Sequence, residues 1–247
     1  VKIERPYALA AGIAVAIATV LPPLDAWAHR SLVGHMVQHL IHTDIVPPLV
    51  LFGAPLLARP LRILPAPLAL FASLAIIWGI HFGPLFEASL ESVPLYVLVQ
   101  LSFLAAGFLM WAPVFDPQRL SHAARLGYVF LAMPLTGFLG FVLYSNRFPL
   151  YPQYVRICGA GALADQQAGG ELMWVGGSAI MFAGFMLLAF EYARHESRIA
   201  AAPPYGGART AYFFLRDVFL AADFFAVFLR APVFFSTAFR VDSTAAA

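Results

Sequence analysis

Charge is scarce in this sequence, and what there is lies in the wrong places for a water-soluble fold. Only 11% of the 247 residues are Asp, Glu, Lys or Arg, against 61% hydrophobic residues. A soluble domain of this length needs a far larger charged fraction on its surface. No charged residue occurs between Arg5 and Asp25, Arg62 and Glu87, Glu91 and Asp116, Arg125 and Arg147, or Glu171 and Glu191. Each gap is about long enough for a helix to cross a hydrocarbon core of roughly 30 Å. Barrel-type alternation is also missing, and an open strand cannot satisfy its own backbone in lipid, so helices are the expected element. Cysteine is nearly absent: Cys158 is alone, which excludes an intramolecular disulfide framework. The net charge of +2 and the lack of a basic patch interleaved with aromatics argue against nucleic acid as a partner. No nucleophile–base set or phosphate loop is visible, so the chain reads as an interaction protein and not an enzyme.

The charge-free stretches predict an all-α, polytopic transmembrane helix bundle. Six spans are expected near Tyr7–Leu21, Leu32–Leu57, Pro65–Phe82, Pro94–Val114, Leu126–Leu143 and Ala168–Glu191. The first is bounded by Lys2 and Arg5 and carries no convincing signal-peptidase site, so it is read as a span. Pro47-Pro48 in the second span predicts a kink or an early end. With the N-terminus cytoplasmic, Lys2, Arg5, Arg59, Arg62, Arg119, Arg125, Arg194, Arg198 and Arg209 lie inside, and only Arg30, Arg147 and Arg156 outside. The bundle is expected to occupy residues 1–208. A Phe-rich tail follows at 209–247, in which Arg216, Asp223 and Arg230 recur on one helical face, with Asp217 close by. That tail reads as an interfacial amphipathic helix, with a seventh span as the other possibility.

Histidine is where the sequence becomes distinctive. His29, His35, His39, His42 and His81 gather at the outer end of this topology, while His122 and His195 fall inside. At about 100° per residue, His35, His39 and His42 share an arc of about 60° on one helix face. Gln38 flanks that face, and Met36 lies about 100° from it. Polar side chains are costly in hydrocarbon, so this stripe is expected to point into the bundle. His81 ends the third span at a matching depth and completes a candidate metal-ligand set of His35, His39 and His81, with His42 as an extra ligand. Met36 is a candidate soft ligand that would favour Cu(I). Hydrogen-bonded packing is the plainer role for the same imidazoles. Asp44 is an intramembrane carboxylate, and so a functional candidate by default. It can instead pair with the charged tail stripe or with a neighbouring hydroxyl. Asp165, before Gly169-Gly170 and Trp174, is expected to cap the sixth span or to orient a ligating histidine. Cys158 is either a soft ligand or incidental.

These residues resemble a known family. His35-Met36-Val37-Gln38-His39-Leu40, Pro47-Pro48-Leu49 and Gly53-Ala54-Pro55 are similar to the second-span signature of CtaG-type cytochrome c oxidase assembly factors. Trp78-Gly79-Ile80-His81, Trp111-Ala112-Pro113-Val114, Tyr151-Pro152-Gln153-Tyr154 and Asp165 through Trp174 resemble its later segments, in order. The resemblance implies a multi-pass bacterial inner-membrane protein that matures a caa-type oxidase by handling copper. It carries over His35, Gln38, His39, His81, Asp165, Gln166, Gly169, Gly170 and Trp174 as motif positions, with Gln38, Asp165, Gln166 and Trp174 expected to support the ligands. His42, Thr43 and Asp44 depart from the family pattern. The implied partners are oxidase subunits or another copper chaperone, within the lipid bilayer. Other readings are a b-type haem electron-transfer protein, a copper or proton transporter, and a stable accessory subunit of a respiratory complex.

Overall fold

The structure, a computed structural model, describes residues 5–82 and 84–200. Every regular element among them is helical. Helix α1 (Pro6–Thr19) opens on a proline, whose missing N–H costs nothing in a first turn. After Pro22-Pro23 come the short α2 (Leu24–Ala28) and then α3 (Leu32–Leu40), capped by Ser31, whose hydroxyl accepts from Gly34 N at 3.4 Å. The second span does not break at Pro47-Pro48. A π-helical segment, Ile41–Ile45, precedes α4 (Val46–Gly53), so the prolines fall in the first turn of a new helix. The break comes later, at Ala54, where Leu32–Gly53 and Pro55–Ile63 meet at 116°.

Helix α5 (Ala66–Phe82) is followed by α6 (Pro84–Glu91) and α7 (Val93–Phe115). Helix α8 (His122–Ser145) leads to α9 (Pro152–Cys158) and α10 (Ala162–Glu171). A second π-helical segment, Leu172–Gly176, then joins α10 to α11 (Gly177–Ala200). Chain contacts divide the protein into Val1–Leu188 and Ala189–Ala247. The tail expected at 209–247, its charged stripe and the boundary before it lie outside the described residues.

Among the described residues three helical stretches are long and apolar enough to cross a membrane, Val93–Phe115, His122–Ser145 and Pro152–Arg198. Counting Leu32–Gly53 with Pro55–Ile63, and α5 with α6, as single bent spans raises the number to five. Helix α1 is apolar but has 14 residues, fewer than the roughly 20 a straight span requires. The expected six are therefore not all present as full-length helices. The cause is local: Pro22-Pro23 follows the first, a bend at Ala54 interrupts the second, and the third, α5, has 17 residues. The exterior suits lipid: Leu68 and Phe71 on α5, Val97, Leu98 and Leu101 on α7, and Phe182 on α11 are exposed.

Close backbone approach fixes the interior. A Cβ on Gly140 would lie 2.5 Å from Trp174 N, and one on Gly170 would lie 2.5 Å from Tyr144 N. Helices α8 and α10 can meet this tightly only through glycine, the small-residue packing that membrane helices favour. On α7, a Cβ at Gly107 would lie 2.7 Å from Thr43 O and from Pro47 Cγ. That contact holds the first π-helical segment against α7. The core between these elements contains Leu32, Met36, Leu40, Ile77, Phe86, Phe103, Leu143 and Met173.

Candidate functional site

Helices α3, α5 and α7 bring three of the expected histidines together. The His39 and His81 rings lie 5.1 Å apart, edge to face. His39, His35 and His81 all pack on Phe103, at 4.4, 5.9 and 5.6 Å between ring centres. Phe86 of α6 closes the group 4.7 Å from His35. All three imidazoles are buried, each with 2% or less of its surface exposed.

Their hydrogen bonding is incomplete. His81 Nδ1 lies 2.7 Å from Ile77 O. A carbonyl only accepts, so Nδ1 carries the proton and Nε2 keeps its lone pair. That Nε2 is buried without a partner, as are both nitrogens of His35 and Nδ1 of His39. Buried polar atoms are rarely left so, and each costs about 1–3 kcal/mol when unsatisfied. The histidines do not by themselves complete a metal site. Among the described residues no three His, Cys, Asp or Glu side chains form a group that could hold a metal ion.

His42 stands apart from this group. Its Nε2 lies 2.7 Å from Thr19 Oγ1 and its Nδ1 lies 3.0 Å from Gln100 Oε1. The common face drawn for His35, His39 and His42 assumes α-helical period, and the wider π turn starting at Ile41 departs from it. Gln38 belongs to the same neighbourhood. It donates to Thr19 O at 2.7 Å, accepts from Gln100 Nε2 at 2.6 Å, and lies 2.8 Å from the Tyr96 hydroxyl. Tyr96 is also 2.7 Å from an Asp25 carboxylate oxygen. A chain of polar contacts thus runs from Asp25 to His42. It borders an open pocket of about 610 Å³, lined in part by Asp25, His29, Glu91, Tyr96 and Gln100. His29 packs on Tyr96 and lies 2.9 Å from Asp25 O.

Asp44 is in the first π-helical segment, and Thr43 Oγ1 donates to its Oδ2 at 2.9 Å. The neighbouring-hydroxyl expectation holds there, while Oδ1 stays buried and unpartnered. Met36 is fully buried in the core, with Gly169 against it.

Asp165 caps a helix, but not its own. Helix α10 begins upstream at Ala162. The Asp165 carboxylate instead accepts from Ser31 Oγ and Leu32 N, each at 2.6 Å, at the start of α3. It therefore holds the helix that carries His35 and His39. Gln166 accepts from Leu150 N at 2.6 Å and donates to Phe148 O at 3.2 Å, fixing the chain after α8. Trp174 packs on Phe141 at 5.0 Å and on Tyr144 at 6.2 Å, apart from the histidines. Cys158 Sγ is 3.5 Å from Arg30 O and 4.0 Å from Asp165.

Sequence reasoning missed Thr19, Tyr96 and Gln100, and also two methionines beside His39. A cavity of about 20 Å³ is lined by His39, Leu40, Thr43, Asp44, Ile77, Met110, Thr136, Met173 and Gly177. Gln100 had a visible signal, being an amide in the charge-free stretch of α7. Met110 and Met173 had none, because a methionine in an apolar helix reads as packing.

Comparison with known proteins adds a family. The sequence profile described as "Cytochrome c oxidase caa3 assembly factor (Caa3_CtaG)" matches residues 1–195. The uncharacterized protein Mb0105 of Mycobacterium bovis is 22% identical over 235 residues, covering 81% of this chain and 35% of that protein. The uncharacterized protein ML1998 of Mycobacterium leprae is 25% identical over 129 residues, covering 49% of this chain and 20% of that protein. This chain thus spans about a third or less of the length of these relatives. No solved structure matches it.

Proposed function

The chain belongs to the cytochrome c oxidase caa3 assembly factor family, and from that premise we propose that it binds copper among its buried histidines and aids delivery to the oxidase. One observation carries this reading. His35, His39 and His81 converge on Phe103 with buried nitrogens that nothing among the described residues satisfies. An imidazole lone pair held without a proton donor is what a metal ligand requires. Copper is cargo in this proposal, so an incomplete set suits release as well as binding. The protein acts by binding and transfer, not as an enzyme. Its partners are oxidase subunits or another copper chaperone.

The proposed setting is the bacterial inner membrane, with six spans and the N-terminus cytoplasmic. The bias of Lys and Arg towards Arg59, Arg62, Arg119 and Arg125 supports that orientation. It puts the histidines near the outer face. Haem fits the space less well. The cavity beside His39 is about 20 Å³, a volume suited to about one water or one ion.

Copper bound per purified protein, measured together with the copper content of the oxidase, tests the reading. The His35→Ala, His39→Ala double variant is expected to lower both. Unchanged values in both measurements would refute it.

A further inference from the structure

Two π-helical segments, far apart in sequence, supply the walls of one small cavity. Ile41–Ile45 contributes Thr43 and Asp44, and Leu172–Gly176 contributes Met173. His39 and Met110 line the same space. A π turn is a rare and strained departure from α-helix that concentrates at functional sites. Two of them lining one cavity is more than packing calls for. The volume of about 20 Å³ exceeds the roughly 10–15 Å³ that a single water needs.

The chemistry of the walls narrows the occupant. Asp44 Oδ1 and His39 Nδ1 are buried and unpartnered, and the two residues are 8% and 2% exposed. Met110 and Met173 are 2% and 4% exposed. No three His, Cys, Asp or Glu side chains among the described residues could hold a metal. An ion held here therefore needs the thioethers, and thioether sulfur selects soft Cu(I) over Zn(II). Charge agrees, since one carboxylate neutralises one monovalent cation, whereas a divalent ion would leave net charge buried in low dielectric.

We infer that Cu(I) is held in this cavity by His39, Met110 and Met173, with Asp44 balancing its charge. The inference rests on the copper reading above and moves the ion from a three-histidine set to a mixed one. His35 and His81 then serve as neighbouring positions on the path of the ion.

The test uses the full chain in detergent, titrated anaerobically with Cu(I) against a colorimetric chelator, and X-ray absorption of the bound copper. Wild-type protein is expected to show sulfur scatterers. The Met110→Leu, Met173→Leu double variant, close in volume and so tolerated by the core, should lose them. Its Cu(I) affinity should fall on the order of 10–100-fold or more. Copper bound through nitrogen and oxygen alone would overturn the inference. So would an unchanged affinity in the double variant alongside loss in His35→Ala with His81→Ala, an outcome that leaves the copper reading standing. If wild-type protein binds no Cu(I), the copper reading fails and takes the inference with it. The scattering measured on wild type decides the matter even where a variant does not fold.

Discussion

The two sides of α3 treat buried polar groups in opposite ways. Towards α1 and one part of α7, Gln38, His42, Thr19, Gln100 and Tyr96 form contacts of 2.6–3.0 Å that use both nitrogens of His42 and both ends of the Gln38 amide. Towards α5 and α6, His35, His39 and His81 keep nitrogens without partners, and Asp44 keeps an oxygen in the same condition. Burial does not separate the two regions, since Gln38 and His35 are both at 0% exposure. Satisfaction does. A satisfied buried network specifies one packing of the helices, whereas unsatisfied groups are a cost that only a bound species offsets.

Exchanging polarity on each side should therefore give opposite results. The largest expected effect is Gln38→Leu, which leaves Thr19 O and Gln100 Nε2 short of a partner, while the Tyr96 hydroxyl keeps Asp25. At about 1–3 kcal/mol for each buried group left unmatched, the unfolding midpoint in detergent should drop clearly. Copper binding by the protein that remains folded should persist. A smaller change of the other kind is expected from His35→Leu. It removes two nitrogens that had no partner, so the metal-free protein should be no less stable than wild type while copper delivery to the oxidase falls. If His35→Leu proved the more destabilising of the two, the division between structural and binding sides would not stand.

Part of this contrast was legible in the sequence. Helical period placed His35 and His39 together, and span counting put His81 level with them. The 5.1 Å separation of the His39 and His81 rings agrees with that. His42 was misplaced because the π turn starting at Ile41 is a tertiary feature that no local pattern announces. Asp165 was recognised as a helix cap, but its own helix starts at Ala162, six residues before the span start expected at Ala168, and its carboxylate reaches α3 instead. The overall helical, membrane-type architecture followed from composition, because long charge-free stretches admit little else. Met110 and Met173 were not legible, since only the meeting of α7 with the second π-helical segment gives them a shared cavity with His39.

The smallest effect comes from a third region, which tests whether partnering alone decides stability. Beyond the end of α7, Asp116 accepts from Arg62 through both carboxylate oxygens, and Arg119 donates to Leu64 O. Asp116 is buried to 3% side-chain exposure, but Arg62 is 35% exposed, so solvent screens the pair. The hydrogen bonds from Arg62 come first in holding the Asp116 carboxyl below its ordinary value. A depressed carboxylate pKa stabilises the fold fully above the unfolded value, near 3.9, and that contribution is lost as pH falls through the folded value. The unfolding midpoint of wild type should therefore exceed that of Asp116→Asn at neutral pH by a constant margin. The margin should hold down to about pH 4 and close below it. Neither Gln38→Leu nor His35→Leu removes this ion pair, so the same acid-dependent margin should persist in both backgrounds. A margin that vanished in the Gln38→Leu background would mean that the satisfied network and the ion pair unfold as one unit.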